Sequence, residues 1–236
     1  MTAVPERRRM SNLARKTARW LLLFAAAFFL ASTFLAVLYG AVAPPVTPLM
    51  LIRVVQGDGL NRHWKPYAEI SPHLIRAVIA AEDARFCEHV GFDWREIDKA
   101  WASFKRGGRL RGASTITMQT AKNLFLWPGR SYLRKGLEAY FVVLLELALD
   151  KQRIIELYVN VAEWGPGVYG AEAAAQAYFR KSAAGLTRRE AALLAAVLPN
   201  PRRWAADRPT ASIVRKTATI LARMSSVSIS EGRLCR

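Results

Sequence analysis

The sequence predicts a mainly α-helical domain behind one N-terminal transmembrane helix. Residues 20–42 are apolar and uncharged, which is long enough to cross about 30 Å of hydrocarbon as a helix. Beyond them, capping residues such as Ser71 and Thr187 precede stretches with apolar residues at helical spacing. These two observations favour a single membrane anchor followed by a helical domain.

Length and charge narrow the possible partners. The 236 residues have room for one domain with appendages, and the formal net charge is +17. An excess of this size indicates an anionic partner: a membrane surface, a phosphorylated substrate or nucleic acid. Two cysteines are too few for a disulfide framework, so we expect Cys87 and Cys235 to be free thiols.

The first 70 residues predict a basic cytoplasmic tail (1–19), a transmembrane helix (20–42) and a linker with a connecting segment (43–70). Six basic residues in the first nineteen keep the amino terminus cytoplasmic, so the rest of the chain lies outside the inner membrane. A cleaved signal would have a shorter apolar core, so we expect an uncleaved anchor. In the connecting segment we expect an extended piece from Leu51 to Val55.

A glutamate occupies a position in the next helix where an apolar residue is expected. That helix opens at Ser71 and Pro72, and Gly91 supplies the stop signal. One face carries Ile75, Ile79, Glu82 and Phe86. An ionised carboxylate on a buried face is costly, so Glu82 is a candidate catalytic group. The alternative is an ion pair with Arg85 at the edge of the stripe.

Two further stretches point to an anionic ligand. A predicted helix over 94–104 leads into a basic, glycine-rich run, 105–112, which is either a plain solvated turn or a loop that gates the substrate. Four hydroxyls at 114–120 then suit a helix start, where side chains and free N–H groups face an anion. An ordinary N-cap explains them equally well.

A long helix is predicted from Arg130 to about Leu149. Within it, Arg134 and Lys135 flank Glu138 at helical spacing, which is typical either of a surface salt-bridge cluster or of a binding site. The apolar cluster before it, 124–129, is interpreted as core or as a lip that dips into the bilayer. We expect a further helix to start at a capping box, 187–190, and a last helix over 210–224. The domain then covers residues 71–224, and we expect a frayed tail over 225–236.

Several motifs resemble the signatures of the peptidoglycan glycosyltransferases, enzymes that polymerise lipid II. The run Glu82-Asp83-x-x-Phe-x-x-His89-x-Gly-x-Asp93 resembles the first signature. Gly112-x-Ser-Thr-Ile-Thr-Met118-Gln119 is similar to the second, with Met118 in the place of a usual glutamine. Arg-Lys-x-x-Glu at 134–138 matches the third, and 151–160 resembles the fourth. In all, five such motifs follow in order across residues 72–204.

The resemblance implies a lysozyme-like, two-lobed glycosyltransferase domain. It makes Glu82 the general base for a sugar hydroxyl, and Glu138 a second catalytic carboxylate that orients the cations or helps to hold a metal. The implied substrate-binding residues are Ser114, Gln119, Lys122, Arg130, Arg134 and Lys135, since a pyrophosphate leaving group needs cations. No resident metal is expected. A divalent cation, Mg²⁺ or Mn²⁺, is left open as a companion of the pyrophosphate.

The implied partners are lipid II, the nascent glycan, the inner membrane and proteins of cell-wall synthesis or division, but not nucleic acid. Class A penicillin-binding proteins carry the same domain before a transpeptidase. The chain has no Ser-x-x-Lys and no Lys-Thr-Gly motif, so we expect a monofunctional member. Two rivals stay open: a lytic transglycosylase or lysozyme, which cleaves glycan, and a non-enzymatic basic membrane module.

Overall fold

The computed structural model describes the backbone of residues 4–108, 113–129, 131–227, 229–230 and 233–235, and side chains from Arg15 onward except those of 230 and 233. Over these ranges the chain is mainly α-helical behind one N-terminal apolar helix, as predicted. The helices are α1 (Val4–Ala41), α2 (Pro48–Val55), α3 (Pro72–Glu82), α4 (Trp94–Lys105), α5 (Ile116–Phe125), α6 (Tyr132–Ala148), α7 (Lys151–Val161), α8 (Ala171–Phe179), α9 (Arg188–Val197) and α10 (Ala211–Arg223).

Short strands complete the described chain. They are β1 (Asn61–Arg62), β2 (Glu163–Gly165), β3 (Val168–Tyr169), β4 (Ile229–Ser230) and β5 (Arg233–Leu234). β3 lies in the middle of a three-stranded sheet, parallel to β1 and antiparallel to β2. β4 and β5 form an antiparallel pair. The first sheet thereby joins the connecting segment to the chain that follows α7.

Helix α1 contains a span of 27 residues, Arg15–Ala41, that is long enough to cross a membrane, and its most apolar 18-residue stretch has a mean hydropathy of 2.5. Its second half packs along α6. Ser32 Oγ lies 2.7 Å from the hydroxyl of Tyr140, and the rings of Phe28 and Tyr140 are 5.7 Å apart. The helical domain therefore contacts α1 directly.

The core lies between two groups of helices. α3 packs on α9, which packs on α10, while α5 lies between α6 and α7. The largest fully buried side chains include Trp164, Tyr158, Tyr169 and Phe86. Burial of aromatic groups of this size fixes neighbouring elements relative to each other, because close-packed interiors leave little room for adjustment.

Several predicted helix ends are confirmed by their caps. Ser71 accepts a hydrogen bond from the backbone N–H of His73 at 3.3 Å, ahead of Pro72. Thr187 and Glu190 form the predicted capping box at the start of α9. These ends depend on residues close together in sequence, which is why the sequence alone identifies them.

Three local predictions are wrong. Leu51–Val55 is helical because Thr47 caps α2 and Pro48 opens it, so the expected extended piece is absent there. α3 ends at Glu82 rather than near Gly91, since Asp83 leaves the helical conformation with φ −160° and ψ 73°. The tail expected to be frayed carries β4 and β5, and Leu234 is buried.

The two cysteines are a further correction. Cys87 and Cys235 form a disulfide, with Cα atoms 5.2 Å apart and 148 positions between them in sequence. The expectation of free thiols fails because the tail folds back onto the domain and brings the two side chains together. That proximity is a tertiary property, and neither residue's local sequence indicates it.

Candidate active site

Glu82 is the last residue of α3 and is half-buried. Its Oε2 accepts a hydrogen bond of 2.8 Å from the side-chain amide of Gln119 on α5. The alternative partner, Arg85, instead makes a two-pronged ion pair with Asp93, with Nε 3.0 Å from Oδ2. Within the described residues Glu82 has no ion pair, and its Oε1 has no hydrogen-bond partner. This oxygen is therefore available to a ligand.

Gln119 is held from its other side by Tyr158 of α7. The hydroxyl of Tyr158 donates to the amide oxygen of Gln119 at 3.2 Å, so the NH₂ group is the part that faces Glu82. Tyr158 is fully buried, and burial, followed by the nearby charges of Glu82 and Asp83, raises the pKa of its hydroxyl well above the usual value. Tyr158 therefore stays protonated and acts as a donor.

The next residue, Asp83, ties the loop after α3 to the start of α5. Its carboxylate accepts hydrogen bonds from His89 Nε2 at 3.0 Å and from the backbone N–H of Ile116 at 3.0 Å. Thr115, the N-cap of α5, donates its hydroxyl to the carbonyl of Gly91 at 2.6 Å. A buried carboxylate is stabilised at a helix N-terminus, so this network fixes Glu82 relative to Gln119.

The same network holds a group of potential metal ligands that the sequence analysis does not find. One ligand atom from each of Asp83, His89 and Asp93 lies within 4.8 Å of the others. Asp83 and His89 bond each other, however, and Arg85 neutralises Asp93. His89 Nδ1 has no hydrogen-bond partner in the described chain, but His89 Nε2 and both carboxylates are already paired within the protein, so these residues fit a structural network better than a metal site.

The predicted cation cluster is present on α6, and it is buried around its carboxylate. Glu138 is only 3% exposed. It accepts a hydrogen bond of 2.8 Å from Arg134 Nη1 and another from Lys135 Nζ. Arg134 is also buried, and its Nε has no hydrogen-bond partner in the described chain. The cluster is therefore no ordinary surface salt bridge, and it retains an unused donor.

Lys122 of α5 adds a third cation to the cluster. It is half-buried and makes no hydrogen bond or ion pair with any described residue. Burial lowers the pKa of its ammonium; Glu138 opposes this effect, while Arg134 and Lys135 reinforce it. Three cations thus lie near one carboxylate that pairs with only two of them, an arrangement that suits an anionic ligand.

Two neighbouring cavities join these groups. The base cavity, about 460 Å³, is lined by Glu82, by Glu96, Lys99 and Ser103 of α4, and by Arg223. The cation cavity, about 520 Å³, is lined by Gln119, Lys122, Arg134, Lys135 and Glu138. Ser114 lines both cavities, and the Glu82–Gln119 hydrogen bond links them. The carboxylate and the cations therefore lie along one continuous cleft.

The structure brings together seven of the eight predicted site residues; Arg130, like residues 109–112 of the glycine-rich run, lies outside the described residues. Met118, which replaces a glutamine of the family pattern, is buried against the cation cavity and offers no amide. In the 124–129 cluster, Leu124 and Leu126 are buried and Trp127 is exposed. Core packing therefore accounts for the two leucines.

Sequence reasoning missed two residues of the site. Tyr158, which holds Gln119 in place, belongs to the motif at 151–160, and Arg223 lies at the end of the last predicted helix. Arg223 lines the base cavity, although 141 positions separate it from Glu82 in sequence. No local signal could have identified it, because packing of α10 on α9 and α3 is what places it there.

The chain is similar to known proteins over most of its length. A family model described as Transglycosylase matches residues 50–225. A biosynthetic peptidoglycan transglycosylase of Rhodospirillum centenum is 58% identical over 194 residues, covering 82% of this chain and 84% of that protein. That of Caulobacter vibrioides is 52% identical over 212 residues, covering 89% of this chain and 93% of that protein. That of Bdellovibrio bacteriovorus is 50% identical over 212 residues, covering 87% of this chain and 85% of that protein.

Proposed function

The chain belongs to the peptidoglycan transglycosylase family, and on that premise we propose that Glu82 is the general base of a glycan polymerase that uses lipid II. The observation that carries the proposal is the pairing of one half-buried carboxylate with a neighbouring pocket of three cations. A base is needed because a sugar hydroxyl is a poor nucleophile at neutral pH, and a positioned base contributes typically 10²–10⁴-fold in rate.

In the proposed reaction, Glu82 accepts the proton of the 4-hydroxyl of lipid II. The hydroxyl oxygen bonds to the anomeric carbon of the growing glycan, and the bond to undecaprenyl pyrophosphate breaks with inversion. The Gln119 amide donates to Oε2 of Glu82, which leaves Oε1 as the oxygen that takes the proton. The base cavity, where this oxygen has no other partner in the described chain, accommodates the accepting sugar.

The leaving pyrophosphate belongs in the cation cavity. Its charge increases as the bond breaks, so positive groups placed beforehand stabilise the transition state more than the ground state. Lys122 and the buried Nε of Arg134 have no described protein partner and can donate to phosphate oxygens. Lys135 already bonds Glu138 and adds its charge at the rim. Ser114, exposed where the two cavities meet, is the proposed contact for the substrate at the junction.

Glu138 holds Arg134 and Lys135 in place, and this is its proposed role. Both of its oxygens are used by these two cations. A divalent ion carried by the pyrophosphate would have to share an oxygen with them, so positioning explains the geometry of Glu138 with fewer assumptions. Mg²⁺ or Mn²⁺ with the substrate stays a proposal that a chelation experiment tests.

We place the catalytic domain outside the inner membrane, with the amino terminus in the cytoplasm and α1 as the single span. The span Arg15–Ala41 begins after a basic stretch, which favours a cytoplasmic start. The Cys87–Cys235 disulfide supports the same orientation, because disulfides persist in oxidising compartments such as the periplasm. In that location the cleft reaches lipid II, nascent glycan and any partners in wall synthesis or division.

The decisive experiment incubates the purified full chain with lipid II and separates the products by size. The proposal expects long glycan chains from the wild-type protein and a rate lower by about 10²–10⁴-fold for Glu82→Gln, which keeps the size but removes the base. A thermal midpoint close to that of the wild type would show that the variant is folded. Near-normal polymerisation by this variant would remove Glu82 from the role of base. Soluble fragments released from isolated cell walls would instead favour the lytic rival.

A further inference from the structure

Arg53 lines the cation cavity from a helix that carries none of the predicted site residues. It lies on α2, which packs on α5, the helix of Lys122. Leu49, one helical turn earlier, lines the same cavity, so this face of α2 forms one of its walls. The side chain of Arg53 is 20% exposed. Its charge is therefore largely shielded from solvent and lies at the cavity.

The guanidinium of Arg53 has more donors than protein partners. Its Nη1 donates to Oε1 of Gln56 at 2.7 Å, and this is its only side-chain hydrogen bond to a described residue. Its Nε is buried and has no hydrogen-bond partner in the described chain. A guanidinium has five N–H donors, and a buried donor without a partner is costly. The edge formed by Nε and Nη2 is thus available to a ligand.

The carboxylate that pairs with Arg53 is held more closely by another arginine. Nε of Arg53 lies 3.8 Å from Oε2 of Glu163, which is beyond hydrogen-bond distance. Arg202 donates to the other oxygen of Glu163 at 3.0 Å. The side chain of Glu163 is 10% exposed, so leaving it without any cation would be costly. Because Arg202 stays, Arg53 can turn from Glu163 to a ligand without leaving a buried charge unpaired.

Arg53 also changes the balance of charge in the cation cavity. Together with the cations of α5 and α6 it gives four cations in the described lining: Arg53, Lys122, Arg134 and Lys135. Two carboxylates, those of Glu138 and Glu163, line the cavity as well. Four cations and two carboxylates leave an excess of two positive charges, which matches the two negative charges of a pyrophosphate esterified at both ends. Without Arg53 the excess would be one.

We propose that Arg53 is a further substrate-binding residue, which donates from Nε and Nη2 to the pyrophosphate of the lipid-linked substrate. It holds the phosphates from α2, while Arg134 and Lys135 hold them from α6. A planar guanidinium binds two phosphate oxygens at once, which the ammonium of a lysine does not do in the same fixed geometry. This inference rests on the proposed place of the pyrophosphate in the cation cavity, but not on the assignment of Glu82 as base.

Binding of farnesyl pyrophosphate to the full chain in detergent tests the proposal without turnover. This probe carries the pyrophosphate and a short prenyl chain but no sugar. Arg53→Gln should raise its Kd by about 10- to 100-fold, the effect of one lost charge-assisted contact. Arg215→Gln, at an exposed position of α10 that lines neither cavity, is the control and should leave Kd unchanged. If Arg53→Gln changes Kd no more than the control does, the proposal is overturned.

Arg53→Gln should remain folded, because Arg202 keeps Glu163 paired, and its thermal midpoint checks this. A second measurement uses the folded wild type, isotope-labelled at the arginine Nε atoms. The spectrum of Arg53→Lys identifies the resonance of Arg53 by its absence. That resonance should shift when farnesyl pyrophosphate is added, because Nε gains its first hydrogen bond. A resonance that does not move at saturating probe would overturn the proposal whether or not Arg53→Gln folds.

The outcomes distinguish a failure of this inference from a failure of the proposed function. If the wild type and Arg53→Gln bind farnesyl pyrophosphate equally well, only the role of Arg53 is refuted. If the wild type makes glycan from lipid II but does not bind the probe, the place of the pyrophosphate in the cation cavity is refuted together with the role of Arg53. Weaker binding by Arg53→Gln in a chain that makes no glycan would refute the proposed polymerase and leave this inference standing.

Discussion

The hydroxyl of Tyr158 lies 3.2 Å from the side-chain oxygen of Gln119, and this contact determines which end of the amide faces Glu82. Because the tyrosine donates to the oxygen, the NH₂ group is left to donate to the carboxylate at 2.8 Å. A buried phenol therefore orients the carboxylate of Glu82, the proposed base, through one intermediate side chain. Hydrogen-bonded chains of this kind fix geometry that a single contact would leave loose.

Tyr158→Phe should lower the polymerisation rate by about 2- to 10-fold with the fold retained, if the lost hydrogen bond is worth its typical net 0.5–1.5 kcal/mol. The measurement is kcat with lipid II across a range of pH, alongside the thermal midpoint. Tyr169→Phe is the matched control, because Tyr169 is equally buried and its hydroxyl has no partner in the described chain. Equal rates for the two variants would contradict a positioning role for Tyr158.

Lys122→Met should stabilise the protein and still cost activity. Burial lowers the pKa of Lys122, so the unfolded chain binds its proton more tightly than the folded chain does. Below the lowered pKa, the variant should therefore have the higher free energy of unfolding. As the pH increases through the lowered pKa of Lys122 towards 10.5, the free energy of unfolding of the wild type should rise, and the difference between the two proteins should disappear. Polymerisation should fall by about 10- to 100-fold, the loss expected for one charge-assisted contact.

Lys135→Met provides the comparison, since Lys135 is paired with Glu138 and its side chain is 49% exposed. It should lower the rate without raising the thermal midpoint, because no unpaired buried charge is removed. Chemical unfolding curves at several pH values, together with rates from the same preparations, distinguish the two lysines. Destabilisation by Lys122→Met at neutral pH would contradict this prediction, because it would mean that the ammonium of Lys122 has a favourable partner in the folded wild type.

Arg223→Gln should raise KM for lipid II by about three- to tenfold with little change in kcat, because one exposed cation would be lost from the base cavity. Arg223 has no acidic partner among the described residues, so an anionic group of the accepting substrate is its expected ligand. Arg215→Gln, at an exposed position of the same helix, is the control. Lipid II with an amidated stem peptide shows which anion is bound. If the wild type and Arg223→Gln have the same KM for the amidated substrate, the ligand of Arg223 is the peptide carboxylate. If the difference in KM persists, the ligand is the pyrophosphate.

Reduction of the Cys87–Cys235 disulfide should lower the free energy of unfolding by about 3–5 kcal/mol, since a cross-link over 148 positions restricts the unfolded chain strongly. Thermal unfolding with and without reductant measures the effect. The Cys87→Ser, Cys235→Ser protein should match the reduced wild type and show no response to reductant. A wild-type midpoint that reductant leaves unchanged would mean that the cross-link is absent in solution.

Local patterns in the sequence determine much of this protein. The uncharged span of α1, the Ser71 cap, the capping box of Thr187 and Glu190, and the spacing of Arg134, Lys135 and Glu138 are all visible in the printed chain. Each depends on residues within one or two turns of each other, where spacing alone decides which groups meet. For that reason the helical class and most residues of the cation cluster could be predicted.

Contacts between distant residues were decided only by the tertiary structure. The Glu82–Gln119 bond joins residues 37 positions apart, and the tyrosine behind it lies 39 positions further along. Asp83 ends α3 early because its carboxylate binds the N–H of Ile116, a partner that no helix-stop signal reveals. The two cysteines meet only when the chain end packs back on the domain, and Arg223 reaches the base cavity only when α10 packs on α3 and α9. Such contacts depend on how packed helices place their ends, and no pattern along the chain encodes that placement locally.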